Sequence, residues 1–280
     1  MGSFGPRVLD SPSMAEPLTS IEPLLPVIEQ RPLGIMADID GTLAPTVPRP
    51  EDARVPDGTR RLLSALAGKG VRVALISGRS LEAARGIAGL PDVVYAAGHG
   101  LTLWIDGRAE VAPGLEEYES LAREAERDLE PLAGEVPGLQ LENKGPLLAI
   151  HYRRTAEPEA ARKALLARLE RSPAAGRFWL QEGRFLIELR PPIGVDKGTA
   201  AVALAERLGL KGAIVLGDDI TDIDMFRAAA RLREEGRLAA ATIAVASNEA
   251  APAVAAATDY RLAGTAEVEW LLAEVLRALP

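Results

Sequence analysis

Short apolar runs recur along the chain from Leu33 onward, separated by stretches in which leucine and alanine return at helical spacing. Runs of the first kind predict strands buried on both faces, and stretches of the second predict amphipathic helices. Leu33–Asp38 is a predicted strand. Asp57–Lys69 is a helix with Leu62, Leu63 and Leu66 on one face, ended by Gly68 and Gly70. Val71–Ile76 is a second strand, Leu81–Ala88 a helix and Val93–Ala97 a third strand. Alternation of this kind predicts a parallel α/β, Rossmann-like sheet with right-handed crossovers.

Around Arg108 the pattern changes. A charged helical stretch, Gly114–Leu132, precedes Leu139–Glu142 and Leu147–Arg153, two strands split by Asn143-Lys144-Gly145-Pro146. A second helix, Glu157–Arg171, precedes Arg177–Gln181 and Arg184–Arg190, split at Glu182-Gly183. Helix, hairpin, helix, hairpin is an α+β module with its helices on one face of an antiparallel sheet. After Pro191-Pro192 the first pattern resumes with helix Lys197–Leu208, strand Ala213–Leu216, helix Asp222–Arg233 and strand Thr242–Val245. Helix Glu249–Ala256, strand Tyr260–Leu262 and helix Ala266–Leu279 follow. The simplest assembly is one sheet domain, 33–108 plus 192–280, interrupted by an insert at 109–191. Residues 1–32 hold six prolines and little periodicity, which predicts a flexible leader with one helical turn near Ile21–Gln30.

Composition narrows the function without choosing it. Apolar residues make up 48% of the 280 and charged ones 26%, ordinary for a globular protein. A formal net charge of -8 argues against a nucleic-acid surface. The chain has no cysteine, so disulfides and thiolate metal sites are excluded and nothing points to an oxidising compartment. No basic start leads into an apolar core, and no apolar run approaches the roughly 18 residues of a membrane span. A cytoplasmic protein is expected, with no nucleic-acid or membrane partner. Trp104 and Trp179 are read as core residues rather than ligand platforms.

Chemistry gathers where predicted strands stop. Asp38-Ile39-Asp40-Gly41-Thr42-Leu43 follows the first strand, Ser77-Gly78-Arg79 follows the second, Lys197 opens a helix, and Gly217-Asp218-Asp219-Ile220-Thr221-Asp222 follows a later strand. In open parallel sheets these strand ends converge on the ligand crevice. Asp38 and Asp218 offer hard oxygen ligands suited to Mg²⁺. Ser77 and the amide of Gly78 can bind phosphate oxygens, and Lys197 can neutralise the remaining charge. Asp38 can serve as nucleophile, and Asp40 can protonate a leaving oxygen and then deprotonate water.

These four stretches resemble the motifs of the haloacid-dehalogenase-like (HAD) phosphohydrolases, and the insert resembles the larger, C2-type (αββαββ) cap of that superfamily. Gly98-His99-Gly100, Glu142-x-Lys144 leading into His151-Tyr152-Arg153, Glu188-x-Arg190-Pro191 and Gly217–Asp222 resemble the trehalose-6-phosphate phosphatase family within it. One departure is Ile223-Asp224, where that family usually has Glu-Asp. The resemblance implies that Asp38, Asp218 and the carbonyl of Asp40 hold Mg²⁺, with Asp222 as a supporting carboxylate. It also implies a small-molecule sugar phosphate as the partner; a monomer is expected.

Glu142, Lys144, Arg153 and Glu188 lie on or beside predicted hairpin strands, where alternation can aim several at one face. A disaccharide presents only hydroxyls, which suit carboxylate acceptors and cationic donors. The plain alternative is a set of solvated strand charges. His99 is a sugar contact by the resemblance, or else a turn histidine between two glycines. Arg79 can pin Asp40 or the sugar, or cap the sheet edge. Rival readings are a phosphatase of the same cap class acting on sucrose 6-phosphate or on mannosyl- or glucosyl-3-phosphoglycerate, a phosphomutase, and a phospho-receiver module.

Overall fold

In the computed structural model, which describes residues 15–47, 49–183, 185–246 and 252–280, the chain opens with β1 (Glu16–Pro17), α1 (Leu25–Ile28), β2 (Leu33–Ala37), α2 (Asp57–Gly68), β3 (Arg72–Ile76) and α3 (Leu81–Ala88). It continues through β4 (Val94–Ala97), β5 (Thr102–Ile105), β6 (Arg108–Val111), α4 (Tyr118–Glu135), β7 (Gln140–Asn143), β8 (Leu148–His151), α5 (Pro158–Leu169), β9 (Trp179–Gly183) and β10 (Leu186–Arg190). Then come α6 (Lys197–Arg207), β11 (Gly212–Gly217), α7 (Ile223–Glu234), β12 (Ala239–Val245), α8 (Pro252–Ala255), β13 (Tyr260–Leu262) and α9 (Thr265–Ala278). Two compact units result. Of the described residues, one holds those up to Ile76 with Ile87–Val94 and those from Lys197 onward, and the other holds Ser77–Gly86 with those from Tyr95 to Asp196.

The first unit is built on parallel strands in the order β1-β13-β12-β11-β2-β3. β2 and β11 are buried along their whole length, so their residues read as continuous apolar runs rather than alternating ones. Their register pairs Ala37 with Leu216, and the Asp38 amide donates to the Leu216 carbonyl at 3.0 Å. The residues that leave these two strands, Asp38 and Asp218, therefore emerge at one end of the sheet, where the chain order switches direction.

Residues 15–32 do not form the leader that their prolines predict. β1 pairs with β13, and Leu18, Leu24, Val27 and Ile28 are buried. The last three fall at helical spacing on one face, and burying each contributes about 1.5–3 kcal/mol, enough to hold the segment down. Residues 1–14, the start of the expected helix at 249–251, and Arg184 at the head of an expected strand lie outside the described residues.

The second unit carries a four-stranded antiparallel sheet, β7-β8-β10-β9. Tyr118, Ala122, Ala125 and Leu129 of α4 and Leu165 and Leu169 of α5 pack with Leu148, Ile150, Ile187 and Leu189 in one core. Tyr118 meets Phe178 edge-to-face at 5.2 Å. Strand alternation turns the intervening residues to the other face. There the register aligns Glu142, Ala149, Glu188 and Gln181 in one row, with Trp179 beside Arg190 in the next.

Three sequence expectations change here. An antiparallel hairpin, β5–β6, follows β4 in a stretch to which the sequence reading assigns no element. Asp106 and Gly107 at its tip both have positive φ, 50° and 77°, the geometry of a tight two-residue hairpin turn. The unit also takes in more than 109–191. Leu101 joins its core, and Gly98 and His99 donate backbone hydrogen bonds to the carbonyls of Arg79 and Ser77. Finally, Trp179 is not a core residue: it is 60% exposed, because its strand position faces away from the helices. Trp104 is half-buried, with the Arg85 guanidinium 4.3 Å above its ring.

Candidate active site

β2 stops at Ala37, and the chain folds at once into a tight turn. The amides of Leu43 and Ala44 donate to the Ile39 carbonyl at 3.0 and 2.7 Å, and the Gly41 amide donates to the Ala44 carbonyl at 2.8 Å. Asp38 is buried at the strand end, whereas Asp40 stands half-exposed within the turn. Gly41 has φ +85°, and a Cβ there would collide with the Asp218 carboxylate. Glycine is thus required twice, for its backbone angle and for the close approach. The buried Thr42 hydroxyl donates to Asp218 Oδ1 at 3.0 Å, a contact the sequence reading missed.

Asp222 organises the second loop. Its Oδ2 accepts from the amides of Asp218 and Asp219 at 2.8 and 3.0 Å, folding Gly217–Asp222 back on itself. A Cβ at Gly217 would strike the Asp222 side chain, which accounts for the glycine. Asp219 and Asp222 cap the short helical turn between them reciprocally. Lys197, first residue of α6 and buried, donates to Asp38 Oδ1 at 2.7 Å and to Asp222 Oδ1 at 2.6 Å.

Oxygens of Asp38, Asp218 and Asp222 lie within 4.8 Å of one another. One ammonium against three carboxylates leaves the cluster over-negative. Burial chiefly, with Asp222 and Asp40 adding repulsion that Lys197 only partly offsets, pushes Asp38 up to about 8. Burial, then Asp38 and Asp222, push Asp218 up to about 9 against the pull of Thr42 and Lys197. For Lys197, burial acts downward, but Asp222 and Asp38 outweigh it and hold the ammonium well above its usual range. The donor set fits a hard divalent cation. Both Asp222 oxygens are engaged, whereas Asp38 and Asp218 each have one oxygen in a described hydrogen bond.

In the second unit, charge is balanced. Lys144 Nζ lies 3.1 Å from Glu188 Oε1, 3.8 Å from Glu142 Oε2 and 3.2 Å from the Gly78 carbonyl, to which it donates. His99 Nε2 donates to Glu188 Oε2 at 3.0 Å, so the proton of that ring nitrogen is assigned by its acceptor. His99 sits at φ 59° between two left-handed glycines, and its imidazole lies across Gly78, where a Cβ would be 2.6 Å from Nε2. The Arg79 amide donates to Ser77 Oγ at 3.3 Å. Burial opposes ionisation of Glu188, but the His99 hydrogen bond and the Lys144 charge overcome it and hold the carboxyl far below the usual range. Glu142 is likewise lowered: burial is outweighed by a hydrogen bond from His151 and by the charges of Lys144, His151 and Arg79.

The structure therefore gathers Glu142, Lys144, Glu188, His99, Gly78 and Arg79 around one face of the antiparallel sheet. It adds His151, named in the sequence only as part of a family motif and given no site role there, 2.9 Å from Glu142 Oε2. Arg153 stands exposed past the end of β8, its guanidinium 5.7 Å from the Phe185 ring centroid. No described helix is long and apolar enough to cross a membrane.

With this geometry in hand, the chain matches the family described as trehalose-phosphatase over residues 36–265. It is similar, at 33% identity over 198 residues, to trehalose-phosphate phosphatase of Mycobacterium tuberculosis, an alignment covering 69% of this chain and 50% of that one. A second protein of that organism, described as an uncharacterized glycosyl hydrolase, is 35% identical over 209 residues, covering 69% of this chain and 15% of the relative. The chain thus spans half or less of the length of these curated relatives. In fold it resembles the C-terminal domain of C. albicans trehalose-6-phosphate phosphatase, with a TM-score of 0.79, 22% identity and coverage of 95% of this chain and 100% of that one.

Proposed function

The chain belongs to the trehalose-phosphatase family, and from that premise we propose that it is a phosphatase that hydrolyses trehalose 6-phosphate to trehalose and phosphate. In this reading Mg²⁺ is the cofactor and an aspartyl-phosphate on Asp38 is the intermediate. The observation that carries it is the buried, over-negative cluster of Asp38, Asp218 and Asp222 around Lys197. The family name and the printed name of the 33%-identical relative support the choice of substrate.

Asp38, Asp218 and the carbonyl of Asp40 would hold the metal, with Asp222 fixing the loop and the lysine behind them. Bound Mg²⁺ supplies the positive charge without which a carboxylate cannot approach an anionic phosphate. Asp38 attacks phosphorus, the bond from phosphorus to the sugar oxygen breaks, and protonated Asp40 gives that oxygen its proton. Asp40 then takes a proton from water, which attacks the phosphorus, releases phosphate and restores Asp38. The Ser77 hydroxyl and Gly78 amide bind phosphate oxygens, and Lys197 offsets their charge.

Residues 33–108 and 192–280 carry the chemistry, and the cap at 109–191, together with Arg79 and His99, carries sugar recognition. Glu142, Lys144 and Glu188 bond the hydroxyls, with His99, Arg79 and Arg153 completing the set. The same reading sets the reaction in the cytoplasm, in a monomer acting on one small-molecule sugar phosphate.

Phosphate release across a panel of sugar phosphates, with Mg²⁺ or with a chelator, tests each part. Trehalose 6-phosphate should be preferred, and chelation should abolish release until Mg²⁺ is returned. Preference for sucrose 6-phosphate or a glycerate-bearing substrate would overturn the substrate assignment. Release indifferent to chelation would overturn the cofactor, and a new sugar phosphate in place of free phosphate would identify a mutase.

A further inference from the structure

The exposed indole of Trp179 is not accounted for by the core. Its neighbour Phe178 is buried against Tyr118, so the chain buries one aromatic and turns the next one outward. β9 pairs Trp179 with Arg190 and Gln181 with Glu188. Alternation therefore stands Trp179, Gln181, Arg190 and Glu188 on the same sheet face, the one opposite α4 and α5. Glu182, between them in sequence, points the other way, where it pairs with Arg162 of α5.

The neighbours of the indole are held in place. Arg190 Nη1 donates to Gln181 Oε1 at 2.5 Å, and Nη2 donates to the Val195 carbonyl at 3.2 Å. With its oxygen so engaged, the Gln181 amide presents its NH₂ group as a donor. Next in the row stand Glu188, an ionised acceptor, and Ala149, which adds no bulk.

A pyranose ring has an apolar face of C–H bonds and a rim of hydroxyls. It is recognised by a flat aromatic surface flanked by polar groups at the rim. We infer that Trp179 stacks against one pyranose ring of the substrate, with the Gln181 amide and Glu188 bonding that ring's hydroxyls and Arg190 fixing Gln181. This assignment rests on the sugar-phosphate reading and adds a specificity-determining residue to it.

The test compares kcat/KM for trehalose 6-phosphate with kcat/KM for glycerol phosphate, which has no ring to stack. The ratio is read first in the wild type; if the wild type shows no preference for the disaccharide, the substrate reading itself fails. Given that preference, W179A should lower the ratio about five- to ten-fold, mainly through KM, and W179F should recover most of it. In a W104F/W270F background, where Trp179 is the only remaining indole, saturating trehalose should shift its fluorescence. A W179A ratio within roughly two-fold of wild type overturns the inference, whatever the fluorescence does. A loss that W179F does not rescue also overturns it, because a structural defect and not stacking would then be at work.

Discussion

Two buried charge clusters of this protein solve opposite problems. Around Lys197, three carboxylates share one ammonium, and Asp38 and Asp218 are pushed up to about 8 and about 9. Around Lys144, Glu188 is bonded by both an ammonium and an imidazole and is held far below the usual carboxylate range. Burial disfavours the charged form in both places, so the number and placement of partners decide the outcome. An over-negative cluster is unfinished until a cation arrives, which suits a centre that must bring a carboxylate up to a phosphate. A satisfied cluster is finished before any ligand comes, which suits recognition of neutral hydroxyls.

The hardest blow to this contrast falls on Asp38. D38N should lower phosphate release about 10⁴-fold or more, because it removes the proposed nucleophile. With a chelator present it should melt no lower than the wild type, since it removes charge from a cluster that has too much. Full phosphate release by D38N would sink the nucleophile assignment. Next, K197M should cost about 3–5 kcal/mol in a urea titration, because it strips a buried carboxylate group of its counter-ion. Added Mg²⁺ should restore more stability to K197M than to the wild type.

A subtler separation comes from pH. Asp38 and Asp218 have folded values above their unfolded ones, so in chelator the folded state holds more protons from about pH 4 to about pH 8–9. Stability should fall as pH rises through that window, and Mg²⁺ should flatten the slope. Glu188 runs the other way: its contribution is full above its unfolded value near pH 4.3 and is lost as pH falls. E188Q should weaken the acid-side loss and leave the alkaline slope in place. Urea midpoints between pH 3 and pH 9, with roughly half-unit spacing, read both arms. The smallest effect is T42V, which should cost about 1 kcal/mol through the lost hydrogen bond to Asp218.

Legibility from sequence followed the locality of the signal. Asp38 and Asp218 directly follow β2 and β11, which are continuous apolar runs, and Lys197 begins α6. The β5–β6 hairpin was passed over because its strands are short and β6 is exposed throughout, although Asp106-Gly107 is a recognised turn signal. Prolines hid the buried face of Leu24, Val27 and Ile28. Trp179 could not be oriented without knowing which sheet face the helices cover. The His151–Glu142 contact lies diagonally across two strands, so it depends on a register that no linear reading supplies.

Ala149 has one more consequence. It stands between Glu142 and Glu188 in the same row, so those two carboxylates leave backbones two strand spacings apart, about 10 Å. That span is fixed by main-chain hydrogen bonding and is beyond the reach of point mutation. Divergence toward ligands of another length must then come from side-chain reach and from whatever replaces the methyl at 149. The backbone works here as a ruler, and only its markings are open to selection.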